Sequence, residues 1–140
     1  MKRMIFSVCI ILIFALLVLV SYAAMTREPI STSNLSDLKG KWEGWRSFGT
    51  TNLRTEFEIY NDTLPLKGKF TFHDMKRKGM MSGTITSDFG RGTINDKGNF
   101  YLKSGENYWE LSLYKSEGKM KLEGDFYFQG AKGTMSFEKK

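Results

Sequence analysis

Lys119-Met-Lys-Leu-Glu-Gly-Asp-Phe-Tyr-Phe128 decides the fold class. Met120, Leu122, Gly124, Phe126 and Phe128 fall on one side of an extended chain, and Lys119, Lys121, Glu123, Asp125 and Tyr127 on the other. A period of two is what a pleated strand with one buried face produces; a helix would scatter the same residues around its circumference. The alternation extends in both directions. Upstream rows are Trp42, Gly44, Arg46 and Phe48; Phe57 and Ile59; Leu66, Gly68, Phe70 and Phe72; Met81, Gly83 and Ile85; Gly92 and Ile94; Phe100 and Leu102; and Trp109, Leu111 and Leu113. Downstream come Gly133, Met135 and Phe137. From Lys39 onward no stretch carries apolar residues at helical spacing, so the domain reads as all-β.

Short segments rich in Gly, Asn and Asp separate the rows, among them Gly49–Asn52, Asn61–Thr63, Asn95–Gly98, Ser116–Gly118 and Gln129–Gly130. They supply residues that tolerate positive φ in tight turns. Short turns make neighbouring strands antiparallel, giving an up-and-down meander of about eight to nine strands. One apolar face on such a ribbon must be covered, and rolling the ribbon into a small closed barrel covers it while removing the sheet edges. A two-sheet sandwich is the other solution. Glu56–Tyr60, Leu66–Phe72 and Ser82–Ile85 are weakly echoed by Glu110–Tyr114, Leu122–Phe128 and Lys132–Met135, as two related halves would be.

The beginning of the chain is different. Lys2 and Arg3 precede an apolar run from Met4 to Val20, followed by Ser21-Tyr-Ala-Ala24. Charged, apolar and small-residue zones in this order describe a secretory signal, and a single hydrophobic N-terminal helix left uncleaved is the alternative, an anchor making membrane contact through residues 4–20. Both readings export the domain, because Lys2 and Arg3 stay on the inner side. The expected organisation is a signal or anchor over 1–24, a polar linker over 25–38 and the barrel over 39–140. The expected location is secreted, periplasmic or otherwise extracytoplasmic.

Cys9, the one cysteine, lies in the apolar run, so the exported part has no disulfide, no thiolate nucleophile and no cysteine metal site. Removing Lys2 and Arg3 from the 21 basic residues leaves 19 against 15 acidic, a net charge of +4. Such a mild excess, with export, argues against nucleic acid. His73 is the lone histidine and alternates outward, so neither a triad nor a zinc site is expected. Glu56, Glu58, Glu110, Glu123 and Asp125 alternate outward too, which gives no converging carboxylate pair. The expectation is a protein without catalytic residues, metal or cofactor.

Leu35-Ser-Asp-Leu-Lys-Gly-Lys-Trp42 resembles the Gly-x-Trp opening of the calycins, the lipocalin and avidin superfamily. That resemblance implies a short helical turn leading into the first barrel strand, a Trp closing the floor, and a basic residue near the chain's end packed across it, here Lys139. The sequence departs from fatty-acid-binding proteins in lacking a helical pair after the first strand, and from lipocalins in lacking a C-terminal helix. No inward ring of Ser, Asn and Tyr of the avidin kind is present, so biotin is not implied.

Two expectations about function follow. Trp42, Phe57, Phe70, Trp109 and Phe126 face inward with Arg46, the one charge on that face, as would suit a small apolar or amphipathic ligand with its polar group at Arg46. The inward glycines either let the strands coil tightly or leave room for that ligand. The other expectation is a packed barrel acting as a cell-envelope interaction protein. Its surface would be the outward Trp45, Tyr101 and Tyr127 with Lys67 and Lys69 of a basic cluster continuing through Lys76, Arg77 and Lys78, offered to a protein or an anionic polymer.

Overall fold

The computed structural model describes residues 24–75 and 83–140. The expected N-terminal hydrophobic helix, Met81 and the basic residues 76–78 lie outside them. Among the described residues there are nine strands: β1 (Thr26–Glu28), β2 (Gly40–Phe48), β3 (Thr51–Ile59), β4 (Leu66–Met75), β5 (Gly83–Ile94), β6 (Phe100–Ser104), β7 (Asn107–Ser116), β8 (Lys119–Phe128) and β9 (Ala131–Lys139). Strands β2 to β9 pair antiparallel in chain order, and β9 returns to β2, with Trp42 opposite Lys139 and Ser47 opposite Thr134. The sheet is an eight-stranded, up-and-down closed barrel, an architecture compatible with the calycins.

One end of the barrel is closed. Here, at the floor, lie the starts of β2, β4, β6 and β8 and the turns β3–β4, β5–β6 and β7–β8. Trp42 is fully buried and donates from Nε1 to the Leu38 carbonyl at 2.8 Å. Lys139 lies across its ring, with Nζ 5.7 Å from the centroid and bonded to the Asp37 carbonyl at 2.6 Å. Burial pulls the Lys139 pKa below its ordinary value. Above this layer Phe57 is the hub, with ring centroids 4.5 Å from Phe70, 5.3 Å from Phe100, 5.5 Å from Phe89 and 5.7 Å from Phe137. Removing a fully buried ring of this kind costs about 3–5 kcal/mol.

The segment 25–38 is not the polar linker that its composition suggested. β1 pairs with β7, Thr26 opposite Lys115 and Glu28 opposite Leu113, continuing the edge that the short β6 leaves uncovered. Ile30 bonds through its N–H to the Gly98 carbonyl at 2.8 Å, and a 3-10 turn at Leu35–Asp37 leads into β2. Ile30, Leu35 and Leu38 are buried in the floor. Lys115 fastens this strap, its Nζ 2.6 Å from Asp37 Oδ2 and 2.8 Å from Glu28 Oε1. The three apolar residues stand at no regular spacing, because they plug the end of a barrel instead of lining a strand or helix.

β5 corrects a second expectation. The Gly83/Ile85 and Gly92/Ile94 rows belong to one strand, not two. Gly68 faces Phe89 while Leu66 faces Gly92, so a bulge shifts the register and switches the inward parity from odd to even.

Gly44 and Gly124 settle what inward glycines do at those two positions. A Cβ on Gly44 would collide with the Ser136 carbonyl of β9, and one on Gly124 with the Glu110 carbonyl of β7. The space a side chain would take is filled by the neighbouring backbone, which is the tight-coiling reading and not the roomy one.

Candidate functional site

The other end of the barrel, the mouth, is open. β5 and β6 pair only at Thr93–Tyr101 and Ile94–Phe100, near the floor. Towards the mouth they part, and the gap leads into a cleft of about 770 Å³. Ile85, Ser87–Arg91, Leu102–Ser104 and Asn107 line it together with Phe70, Phe72, Trp109, Phe126, Phe128, Gln129 and Arg46. β6 produces this opening by being only five residues long between two strands of ten or more.

Aromatic rings form much of the interior. Trp109 stacks on Phe70 at 5.6 Å and lies 6.2 Å from Phe128, while Phe70 stacks on Phe72 at 5.7 Å. Arg46 is 4% exposed, with its guanidinium carbon 4.4 Å from the Phe72 centroid and 5.5 Å from that of Phe48. Placement over ring faces offsets part of the cost of burying the charge. Desolvation still pulls the Arg46 pKa below its ordinary value, though an arginine starts far too high to lose its proton near neutrality. The Trp109 indole N–H is buried and has no hydrogen-bond partner among the described residues. Arg46, Arg91 and Lys103 outnumber Asp88 in the lining, so the cleft carries an excess of positive charge.

Of the six inward residues expected at a ligand, the structure gathers Arg46, Phe70, Trp109 and Phe126 in the cleft. Trp42 and Phe57 are not in its lining: Trp42 closes the floor, and Phe57, opposite Phe70 across β3 and β4, stacks on its ring at 4.5 Å within the packed core. Phe89, Asp88, Arg91 and Lys103 line the cleft without having been singled out. Phe89 keeps the odd parity of Gly83 and Ile85 and escaped because Ser87 interrupts the apolar row ahead of it, and the three charged residues because strand parity says nothing about the lips of a gap.

The five outward residues do not form one patch. Trp45 is on β2, Lys67 and Lys69 on β4, Tyr101 on β6 and Tyr127 on β8, every second strand around the circumference. Trp45 is 53% exposed. Tyr101 and Tyr127 are half-buried, joined through Tyr108 in a stacked row with centroids 6.4 and 6.1 Å apart. Lys69 is bound at 3.3 Å to Glu58, which holds its ammonium pKa above the ordinary value. Lys67 is exposed.

His73 faces outward, as its parity required, with Nε2 2.9 Å from Glu56 Oε1 and Nδ1 3.5 Å from Thr84 Oγ1. Among the described residues no group of three or more His, Cys, Asp or Glu side chains is arranged to hold a metal ion. Compared with family models, with curated proteins and with solved structures, the chain matches none.

Proposed function

We propose that this is an exported, non-enzymatic, lipocalin-like binding protein that takes a small amphipathic molecule into the cleft. The observation that carries the reading is the cleft itself. Its volume of about 770 Å³ lies within the range of about 300–1,000 Å³ typical of small-molecule sites. Its lining joins six aromatic rings, Phe70, Phe72, Phe89, Trp109, Phe126 and Phe128, to a comparable number of polar and charged side chains at the lips, a division that suits an amphipathic molecule better than a purely apolar one. The apolar part of the ligand packs against Phe70, Trp109 and Phe126, and its polar part meets Arg46 and the unused Trp109 N–H. Trp42 held between Leu38 and Lys139 supports the calycin-like side of the proposal.

Titration with amphipathic probes, read by tryptophan fluorescence, tests it. Saturable quenching is expected in the wild type and in Trp45→Phe, and is lost in Trp109→Phe. A flat response across probes of different headgroup and chain length overturns the reading. A second reading, an envelope partner for the outer wall, rests on Trp45, whose exposure is large for an indole on a barrel wall.

A further inference from the structure

We propose that the barrel stands floor-down on the membrane that holds residues 4–20, its cleft opening away from the lipid. The inference rests on reading that apolar run as a retained anchor and is independent of what the cleft binds.

Three observations carry it. First, β1 begins at Thr26, opposite Lys115, one residue from the floor end of β7. The apolar run ends at Val20, so six steps of chain separate the two, reaching about 20 Å when fully extended. A nine-residue strand such as β2, rising about 3.3 Å per residue and tilted about 40°, gives the barrel a height of roughly 23 Å. A mouth-down barrel would need its leash to cover that height and cross a headgroup layer of about 5–8 Å as well. The leash is too short for this. Floor-down, it needs to cross only the headgroups.

Second, two of the three large exposed hydrophobics among the described residues, Tyr60 at 48% and Leu64 at 45%, belong to the β3–β4 turn at the floor. A tyrosine with a neighbouring leucine suits the boundary between headgroups and chains. The third, Trp45, is on β2, three strands from β7 in the closed order and away from where the leash joins.

Third, the floor is basic. Lys39, Lys41, Lys67, Lys97, Lys119 and Lys140 are exposed around it, against Asp62, Asp96, Glu117 and Glu138. The half-buried Lys139 and the strap-bound Lys115 lie in the same end, where Glu28 and Asp37 offset them. An excess of lysine complements anionic lipid, and since the cleft lining is basic too, this charge permits the floor-down pose while the length of the leash selects it.

The test uses the full chain with Cys9→Ser, placed in phosphatidylcholine–phosphatidylglycerol vesicles containing a headgroup-nitroxide lipid. Single cysteines carry a fluorophore at the floor, in Asp62→Cys or Glu117→Cys, or at the mouth, in Glu106→Cys or Gln129→Cys. Floor labels are expected to be quenched several-fold more than mouth labels. Equal quenching, or stronger quenching at the mouth, overturns the proposal. So does recovery of the exported chain in soluble form without residues 1–24, an outcome that leaves the ligand titration unaffected.

Discussion

Glu110 gathers three donors on one carboxylate oxygen: Asn95 and Asn99 Nδ2 at 2.9 Å each and Lys97 Nζ at 3.4 Å. Asn99 passes the connection on, its Oδ1 accepting from Arg27 and Ser112 at 2.8 Å each. Hydrogen bonds from Asn99, then Asn95, lower the Glu110 pKa. A carboxyl depressed in the folded state contributes stability above its unfolded pKa of about 4.3, and that stability is lost as pH falls through the folded value. Glu28, lowered chiefly by Lys115, acts in the same window. Glu110→Gln is therefore expected to reduce, without abolishing, the fall in urea midpoint below about pH 4.3; an unchanged acid limb would remove Glu110 from this role. The outward parity of Glu110 was legible in the alternation. Its partners were not, because they belong to a turn that folds back beside it.

At the scale of the element, the strap shows how composition misleads. Thr26–Asp37 is polar on average, yet Ile30 and Leu35, with Leu38 just beyond, are buried, and Leu38 supplies the carbonyl that holds Trp42. Leu38→Ala is expected to destabilise the fold by about 2–5 kcal/mol, measured by urea denaturation. Thr32→Ala, on the exposed side of the same segment, is expected to stay within about 0.5 kcal/mol. Equal, small effects at both positions would restore the tether reading. The echo between the two halves fares differently: Gly68 pairs with Ile59, whereas Gly124 pairs with Leu111, two residues from the equivalent of Ile59. The halves share hairpin composition and differ in register.

For the whole molecule, closure leaves the β5–β6 gap as the break in the wall through which the cleft opens, and puts Trp45 on a separate face. Ligand binding in the cleft adds about 2.7 kcal/mol of stability at a hundredfold excess over Kd. With an amphipathic probe that quenches Trp109, the thermal midpoint is expected to rise in the wild type and in Trp45→Ser, and not in Phe126→Ser. A loss of the shift in Trp45→Ser would place binding on the outer wall instead.

Outside β1 and β5, strand identity, turn positions and inward parity were determined by the sequence alone, because a pleat imposes its period on residues two apart and a tight turn needs its Gly or Asn on the spot. The floor strap, the bulge that joins the Phe89 and Gly92 rows in one strand, the lips of the cleft and the scattering of the outer aromatics around the circumference were decided by tertiary structure. Each depends on which distant strands meet and in what register, as with Arg27 reaching Asn99 or Asp37 reaching Lys139, and local periodicity carries no record of such meetings.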